Sequence, residues 1–383
     1  MKRSLIALAS LSVLSGAAHA QSSVTLYGII DNGLNYTSNS AGKPLFNMSS
    51  GVVSGSRFGL RGAEDLGGGL KAMFVLENGF DVSNGKLGQG GLLFGRQAFV
   101  GLSSNRFGSV TLGRQYDSLA DYIGPFIVGD QWGGYVSAHP GDLDNFNNSF
   151  RNNNTIKYTN ASISGLTVGA TYSFGGVAGQ ITQNQNWSLG AGYVNGPLSV
   201  AVAYLNARTP NNTGGLFGGA VSTPVYVGYT SANTYQVIGA GAAYAVGAAT
   251  LGATYSNVKF MNLGATGESA FMRGETVTFN NAELNFKYQV SPFLLLGAAF
   301  NYTHGGDVTA ANGSAAGGAR YYQAALVSDY FLSKRTDVYL LGVFQQASGI
   351  DSKNQPAVAA INQLTPSKTN RQIYVRIGYR HKF

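Results

Sequence analysis

The side chains that could do chemistry in this 383-residue chain are few and scattered. The absence of cysteine removes disulfide scaffolds and Cys-ligated metals. His139, His304 and His381 stand far apart with no paired spacing, so neither a metal centre nor a Ser-His-Asp arrangement is expected, and no cofactor is implied. Asp142-Leu143-Asp144 opens like a calcium loop, but Asn147 occupies the place of its glycine and Asn153 that of its final glutamate. The glycine-rich stretch from Gly85 to Gly91 does not join a strand to a helix, so it is a poor phosphate cradle, and sequons such as Asn160-Ala161-Ser162 read as chance. With no nucleophile and base in view, an enzyme is not expected. Fixed charges remain: Arg57, Arg61, Arg96 and Arg151, with Glu77, and a polar stretch holding Asp117, Asp121, Asp130, Asp142 and Asp144. Such groups act through the potential they create, provided that some element arrays them around one space.

The elements that must position them belong to an exported chain. Met1-Lys2-Arg3, a mostly small and apolar run from Ser4 to Ala17, and Ala18-His19-Ala20 form the three parts of a secretory signal peptide, so residues 1–20 are expected to be cleaved. Without Lys2 and Arg3, 23 basic residues face 17 acidic ones, a formal charge of +6, too mild to argue for nucleic acid. Only 11% of residues are charged, 54 are glycine and 12% are aromatic. No run beyond the signal reaches the 18 apolar residues of a membrane helix. Strands that alternate apolar and polar residues satisfy both facts, because the two averages cancel.

That alternation is explicit. Ile373, Val375, Ile377, Tyr379, His381 and Phe383 share one parity, against Gln372, Tyr374, Arg376, Arg380 and Lys382. Ala282 to Val290 and Asn186 to Val194 repeat the pattern. Successive strand side chains point to opposite faces, so each segment has one greasy and one polar side. A soluble sandwich explains any single strand as well; recurrence along the whole chain, with aromatics at strand ends, favours a membrane barrel. Seven joints look tight, at 66–69, 104–106, 162–165, 195–197, 246–249, 290–292 and 332–336. Eight longer polar stretches alternate with them, near 38–52, 81–91, 117–149, 175–185, 208–233, 261–275, 305–318 and 348–369. Fifteen connections join sixteen strands with both termini on the short-turn side. The reading is an all-β fold, a transmembrane antiparallel β-barrel of sixteen strands occupying 21–383 as one domain. A lipid-exposed sheet has no water for its unpaired backbone groups, so the first strand, near Ser23–Tyr36, must pair with the last, Asn370–Phe383.

The residues also carry a resemblance. Ser23-Val24-Thr25-Leu26-Tyr27-Gly28, the stretch from Gly55 to Gly67, Phe94-Gly95-Arg96-Gln97 through Leu102, and Phe107 through Tyr116 resemble the first, second, fourth and fifth strands of the Gram-negative general porins, nearest to those of β-proteobacteria such as Burkholderia and Neisseria relatives. The resemblance implies a homotrimer in the outer membrane, in contact with its lipid and lipopolysaccharide, through which ions and small hydrophilic solutes diffuse. It implies that insertion machinery reads the terminal strand, Tyr379 and Phe383 included. It further implies that the third loop, 117–149, folds inward as a constriction. The alternative is a loop lying over the mouth. Gly124-Pro125-Phe126-Ile127-Val128-Gly129-Asp130 loosely matches the family's loop tip but lacks its internal glutamate. Opposite the loop the family places an arginine row, matched here by Arg57, Arg96 and Arg151, with Arg61 four residues along from Arg57 on the same face. Asp117, Asp121 and Asp130, with Glu77, are then the acidic side.

An arginine facing lipid costs about 2–4 kcal/mol near the midplane, so the lumen is the expected site. Ion pairs that only brace the wall are the plainer reading. The resemblance implies a general porin, and an arginine row matched in full against a loop without its internal glutamate implies a modest preference for anions. A channel selective for phosphate or organic anions on the same barrel is the alternative, and an outer-membrane phospholipase or an adhesin stands further off.

Overall fold

The computed structural model describes residues 23–264, 275–309 and 315–383, so the signal peptide expected at 1–20 lies outside the described residues. The strands are β1 (Ser23–Ser40), β2 (Lys43–Ser50), β3 (Arg57–Gly67), β4 (Leu70–Gly79), β5 (Gln97–Ser104), β6 (Gly108–Gln115), β7 (Asn152–Thr159), β8 (Leu166–Ser173), β9 (Asn186–Asn195), β10 (Leu198–Arg208), β11 (Thr234–Val246), β12 (Ala249–Met261), β13 (Val277–Ser291), β14 (Leu294–Gly305), β15 (Asp307–Thr309), β16 (Ala315–Gly317), β17 (Arg320–Phe331), β18 (Thr336–Ser348) and β19 (Arg371–Lys382). Each barrel strand pairs antiparallel with its neighbours, and β15–β16 is a separate hairpin. β2 and β3 both pair with β1 and form one interrupted stave, so the closed sheet has sixteen staves. Among the described residues no helix is long and apolar enough to cross a membrane, which says nothing of strands.

Closure is made by β1 and β19 in register from Ile29–Lys382 to Thr37–Tyr374. Gly28 and Phe383 exchange two backbone hydrogen bonds of 3.0 Å, so the final residue is part of the seam. The outer wall leaves Leu26, Phe46, Val100, Leu284, Leu326 and Ile377 more than half exposed, which suits lipid and not water.

The pairing also lays outward residues into rows that run across the strands. Across β12, β13, β14, β17 and β18 one row reads Asn257, Asn280, His304, Arg320 and Ser348. Below it lie Tyr255, Ala282, Tyr302, Tyr322 and Gln346, then Ala253, Leu284, Phe300, Ala324 and Phe344. Tyr288, Tyr330 and Tyr379 mark the short-turn edge. Tyr322 and Tyr330, eight residues apart on β17, span about 26 Å along the strand, or about 20 Å of height at a tilt of roughly 40°, most of a lipid-facing band about 25 Å tall.

One expected boundary is corrected. The polar stretch 38–52 is not a long loop: β1 runs on to Ser40, turns at Ala41 and Gly42, whose φ values are 51° and 97°, and returns as β2. Tyr36 and Phe46 hold this hairpin with ring centroids 4.8 Å apart. The irregular piece is instead 51–56, between Asn32–Ser50 and Ile29–Arg57 in the register. Asp31 fixes it: one carboxylate oxygen accepts the amides of Val53 and Ser54 at 3.0 and 2.8 Å. The other accepts Arg376 Nη2 at 2.9 Å and Tyr339 Oη at 2.7 Å. Arg376 is fully buried and spends its remaining donors on Tyr339, Asn35 and Ser49. A buried guanidinium robbed of its carboxylate costs about 3–5 kcal/mol. Asp31→Ala should therefore lower the temperature at which the folded barrel loses its fast gel mobility, and Asp31→Asn should lower it less. An Asp31→Ala barrel that unfolds at the wild-type temperature would show that the clamp carries no stability.

Candidate functional site

The segment 117–149 lies inside the barrel, where its apolar side chains meet the inner wall. Leu119, Ile123, Phe126, Ile127 and Phe146 join a buried cluster with Val237, Val258, Phe260 and Phe279 of β11–β13. Trp132 and Val136 pack with Val327, Tyr339 and Leu341. Glycines in the wall make room for the aromatics. A Cβ on Gly190 would meet the Tyr122 ring at 2.3 Å, and one on Gly241 the Phe126 ring at 2.9 Å. Part of the glycine content thus serves close approach between loop and wall.

Polar contacts fix the same segment. Asp117 is fully buried and caps the helix Ser118–Tyr122, accepting the amides of Leu119 and Ala120 at 2.8 and 3.1 Å and Asn145 Nδ2 at 2.8 Å. His139 sits between two carboxylates, with Nδ1 2.6 Å from Asp144 and Nε2 3.4 Å from Glu283 of β13, all three fully buried. Glu283 also accepts the Val128 amide at 2.8 Å, and Asp144 accepts Ser256 Oγ of β12 at 2.7 Å. Burial works against a charged imidazole here, but Asp144 and Glu283 outweigh it and raise the His139 pKa to about 10. The sign is that of a group raised on folding: its contribution is complete below the unfolded value of about 6.5 and is lost as pH climbs through about 10.

Across the lumen the basic wall gathers on Glu77. Its carboxylate accepts Arg96 Nε at 2.7 Å, Tyr27 Oη at 3.0 Å and Tyr116 Oη at 3.4 Å, with Arg57 Nε at 3.9 Å. Arg151 is bound only through Nη1 to the Ser149 carbonyl at 3.2 Å, and among the described residues no carboxylate lies within ion-pair distance of it. Arg57, Arg96, Arg151, Glu77, Asp130 and Tyr116 line one open space of about 750 Å3, with Gln363 and the 51–56 segment on its border. Asp130 faces this space and holds Asn147. The surrounding wall lifts its carboxyl to about 6, although the arginines pull it the other way.

The structure therefore gathers three of the four singled-out arginines with Glu77 and Asp130. Arg61 stands apart, exposed, its guanidinium 5.4 Å from the Tyr27 ring centre. Arg96 and Arg151 precede β5 and β7 by one residue and are not within strands as expected. Asp117 does not reach the open space, because capping occupies it, and Asp121 is paired with Lys157 away from the arginines. Asp81, not among the expected acids, borders the space while its carboxylate holds the turn at Ser83 and Asn84. His139 looked isolated in the sequence; its partner Glu283 lies 144 positions away, and no spacing could have shown it.

Comparison with known proteins gives a consistent picture. The family model described as Gram-negative porin matches residues 7–347. An outer membrane porin protein of Bordetella pertussis is 38% identical over 271 residues, covering 64% of this chain and 69% of that protein. An anion-selective porin from Comamonas acidovorans shares the fold with a TM-score of 0.73 and 24% identity, over 94% of this chain and 100% of that one. An outer membrane protein of Vibrio cholerae, solved in a trimer form, superposes with a TM-score of 0.66 at 16% identity, over 94% of this chain and 99% of that one.

The buried imidazolium makes a checkable demand. His139→Ala leaves Asp144 and Glu283 facing each other without a cation, so the inner segment should loosen. Amide hydrogen exchange across 124–146 should speed up, while exchange in β12 and β13 stays slow. Unchanged protection in 124–146 would mean that apolar packing alone seats the segment.

Proposed function

The chain belongs to the Gram-negative porin family, an outer-membrane β-barrel channel, and on that premise we propose that it passes ions and small hydrophilic solutes passively with a modest preference for anions. The long connections face outward and the short turns face the periplasm, as in bacterial barrels generally. The single observation that carries the anion preference is the uncompensated guanidinium of Arg151 on the open space that Arg57 and Arg96 also line. Glu77 is already shared between two arginines, and Asp130, though its carboxyl is raised to about 6, keeps most of its charge at neutral pH and is the acid that stands against the arginines. Fixed cations on one wall raise the local concentration of anions, and the effect is screened over about 8 Å at physiological salt.

In this reading the constriction has Arg57, Arg96 and Arg151 on its basic side and Asp130 with Glu77 on its acidic side. Arg61 serves the periplasmic mouth, and Asp117 and Asp121 hold the loop. Residues 1–20 are the cleaved signal and 21–383 a single barrel. Three copies associate through their apolar outer walls, and Tyr379 and Phe383 form the end read during insertion. A channel selective for one class of anion rests on the same arginines. Single-channel conductance with phosphate or an organic anion added separates the two, since only a selective channel is blocked by its substrate.

Reversal potential in a salt gradient tests the preference. Arg151→Ala should shift it toward cations, and raising the salt should shrink the difference. Acidification from pH 7 to pH 5 carries Asp130 through its raised value of about 6 and removes a negative charge, so anion preference should rise. Asp130→Asn should reduce that pH dependence, leaving the part that comes from Asp142, whose buried carboxyl is raised to about 7 near Arg151. A wild-type channel that already prefers cations, or an Arg151→Ala channel with an unmoved reversal potential, would show that the arginines only brace the wall.

A further inference from the structure

Asp142 is a fully buried acid of the inner segment, and it does not border the open space. Among the described residues no cation lies within ion-pair distance of it. Its carboxylate holds backbone instead: Oδ1 accepts the Asn147 amide and Oδ2 the Ser149 amide, both at 2.9 Å. The chain between is a run of tight turns. Asp142, Asn145 and Asn148 take φ values of 47°, 59° and 58°, in the left-handed region that side chains disfavour. Asp142 thus keeps a carboxylate where the backbone would suit glycine, and strain of that kind persists where the surroundings demand the side chain.

Each of the two amides leads on to a charged group of the constriction. Asn147, held by its amide, donates through Nδ2 to Asp130 Oδ1 at 2.5 Å. Ser149, held by its amide, offers its carbonyl to Arg151 Nη1 at 3.2 Å. Asn147, Ser149, Asp130 and Arg151 all border the open space. The other support of this stretch is Asn145, which accepts the Phe150 amide and donates to Asp117 and to the Phe150 carbonyl. It fixes the chain but bonds neither Asp130 nor Arg151.

We propose that Asp142 is the positioning residue that sets the spacing of Asp130 and Arg151, and through them the field that a permeating ion meets. The proposal rests on the channel reading above. A carboxylate suits the place because it accepts through two oxygens, one for each amide, and donates nothing. The potential of a fixed charge falls with distance and is screened over about 8 Å, so a small displacement of either group changes the pull on a passing ion. Burial and the charge of Asp144 raise the Asp142 carboxyl to about 7, against the pull of the two amides. Tyr226, Tyr235 and Arg151 are the other titratable groups that face it.

The test is the reversal potential of the full-length barrel in a salt gradient across a planar bilayer, with two variants that remove the same charge. Asp142→Asn keeps a carbonyl oxygen that can accept an amide. Asp142→Gly keeps none, while glycine takes a φ of 47° without strain. At pH 8, Asp142→Asn should raise anion preference slightly, because a negative charge near Arg151 is gone. Asp142→Gly should lower it below the wild type, because Arg151 is no longer held. Most of the difference between the variants should vanish in an Arg151→Ala background. The acid midpoint gives a second reading. Neither variant titrates at 142, so the midpoint left is that of Asp130, which faces Arg57, Arg96 and Arg151 and whose charged form Asn147 favours. It should stay at about 6 in Asp142→Asn and rise by about one pH unit in Asp142→Gly, where that donor has drifted. Asp142→Ser, with a shorter acceptor, should fall between the two in both readings, and it replaces the glycine variant if heat-shifted gel mobility shows that one unfolded. Equal reversal potentials and equal midpoints for the asparagine variant and its partner would overturn the proposal. A wild type that prefers cations would refute the anion preference, while the difference between the variants still decides the part of Asp142.

Discussion

Backbone hydrogen bonding in a medium without water governs everything else in this molecule. Each N–H and C=O of a spanning strand needs a partner within the sheet, and an open edge in lipid has none. The sheet must therefore close, and β1 with β19 closes it down to the last residue through the Gly28–Phe383 exchange. Closure creates an inside that water can fill, and that inside is where the chain can keep buried charges. Arg376, Arg380, Asp31, Asp329 and Asp337 all face inward and pair with one another, an arrangement that the outer wall could not sustain.

Much of this was legible from side-chain alternation and from turn chemistry. The parity of Ile373–Phe383 and of Ala282–Val290 gave both faces of those strands, because a period of two leaves no freedom once one face is lipid. The seven tight joints each fall at the turn between adjacent strands. The stretch 38–52 misled because its start, Ser38 to Lys43, and its end, Ser49 to Gly51, are polar or small, and they hide the short run Leu45-Phe46-Asn47-Met48 that returns as β2. The break at 51–56 was equally hidden. Its cause is Asp31 reaching across from a neighbouring stave, a contact that depends on register and not on local sequence.

The site was legible in part for the same reason. Arg57, Arg96 and Arg151 stand in segments that match a family pattern, and Glu77 lies on an inward parity, so their meeting follows from strand order. The acids of 117–149 lie on irregular chain, where no period tells inward from outward. Asp117 is a cap, Asp121 an ion-pair partner and Asp130 a lumen group, and these fates depend on where the loop's turns fall. His139 shows the limit most clearly, since its role is created by Glu283 on a distant strand. Tyr27 and Tyr116, which hold Glu77 in place, stood inside motifs that match the family pattern, but nothing in their spacing pointed to Glu77.

An inner segment pinned by a buried imidazolium, seated against wall glycines and facing an arginine wall, makes the pore narrower than its sixteen-stave barrel. The most direct measurement is single-channel conductance of a chain with the central part of the segment, 124–147, excised, against the intact chain in the same bilayer. Since the segment sits in the lumen, the excised channel should conduct more and admit larger solutes, provided that gel mobility shows it folded. A folded excised barrel with the conductance and size limit of the intact one would contradict the central claim, because the segment would then lie outside the path of the ions.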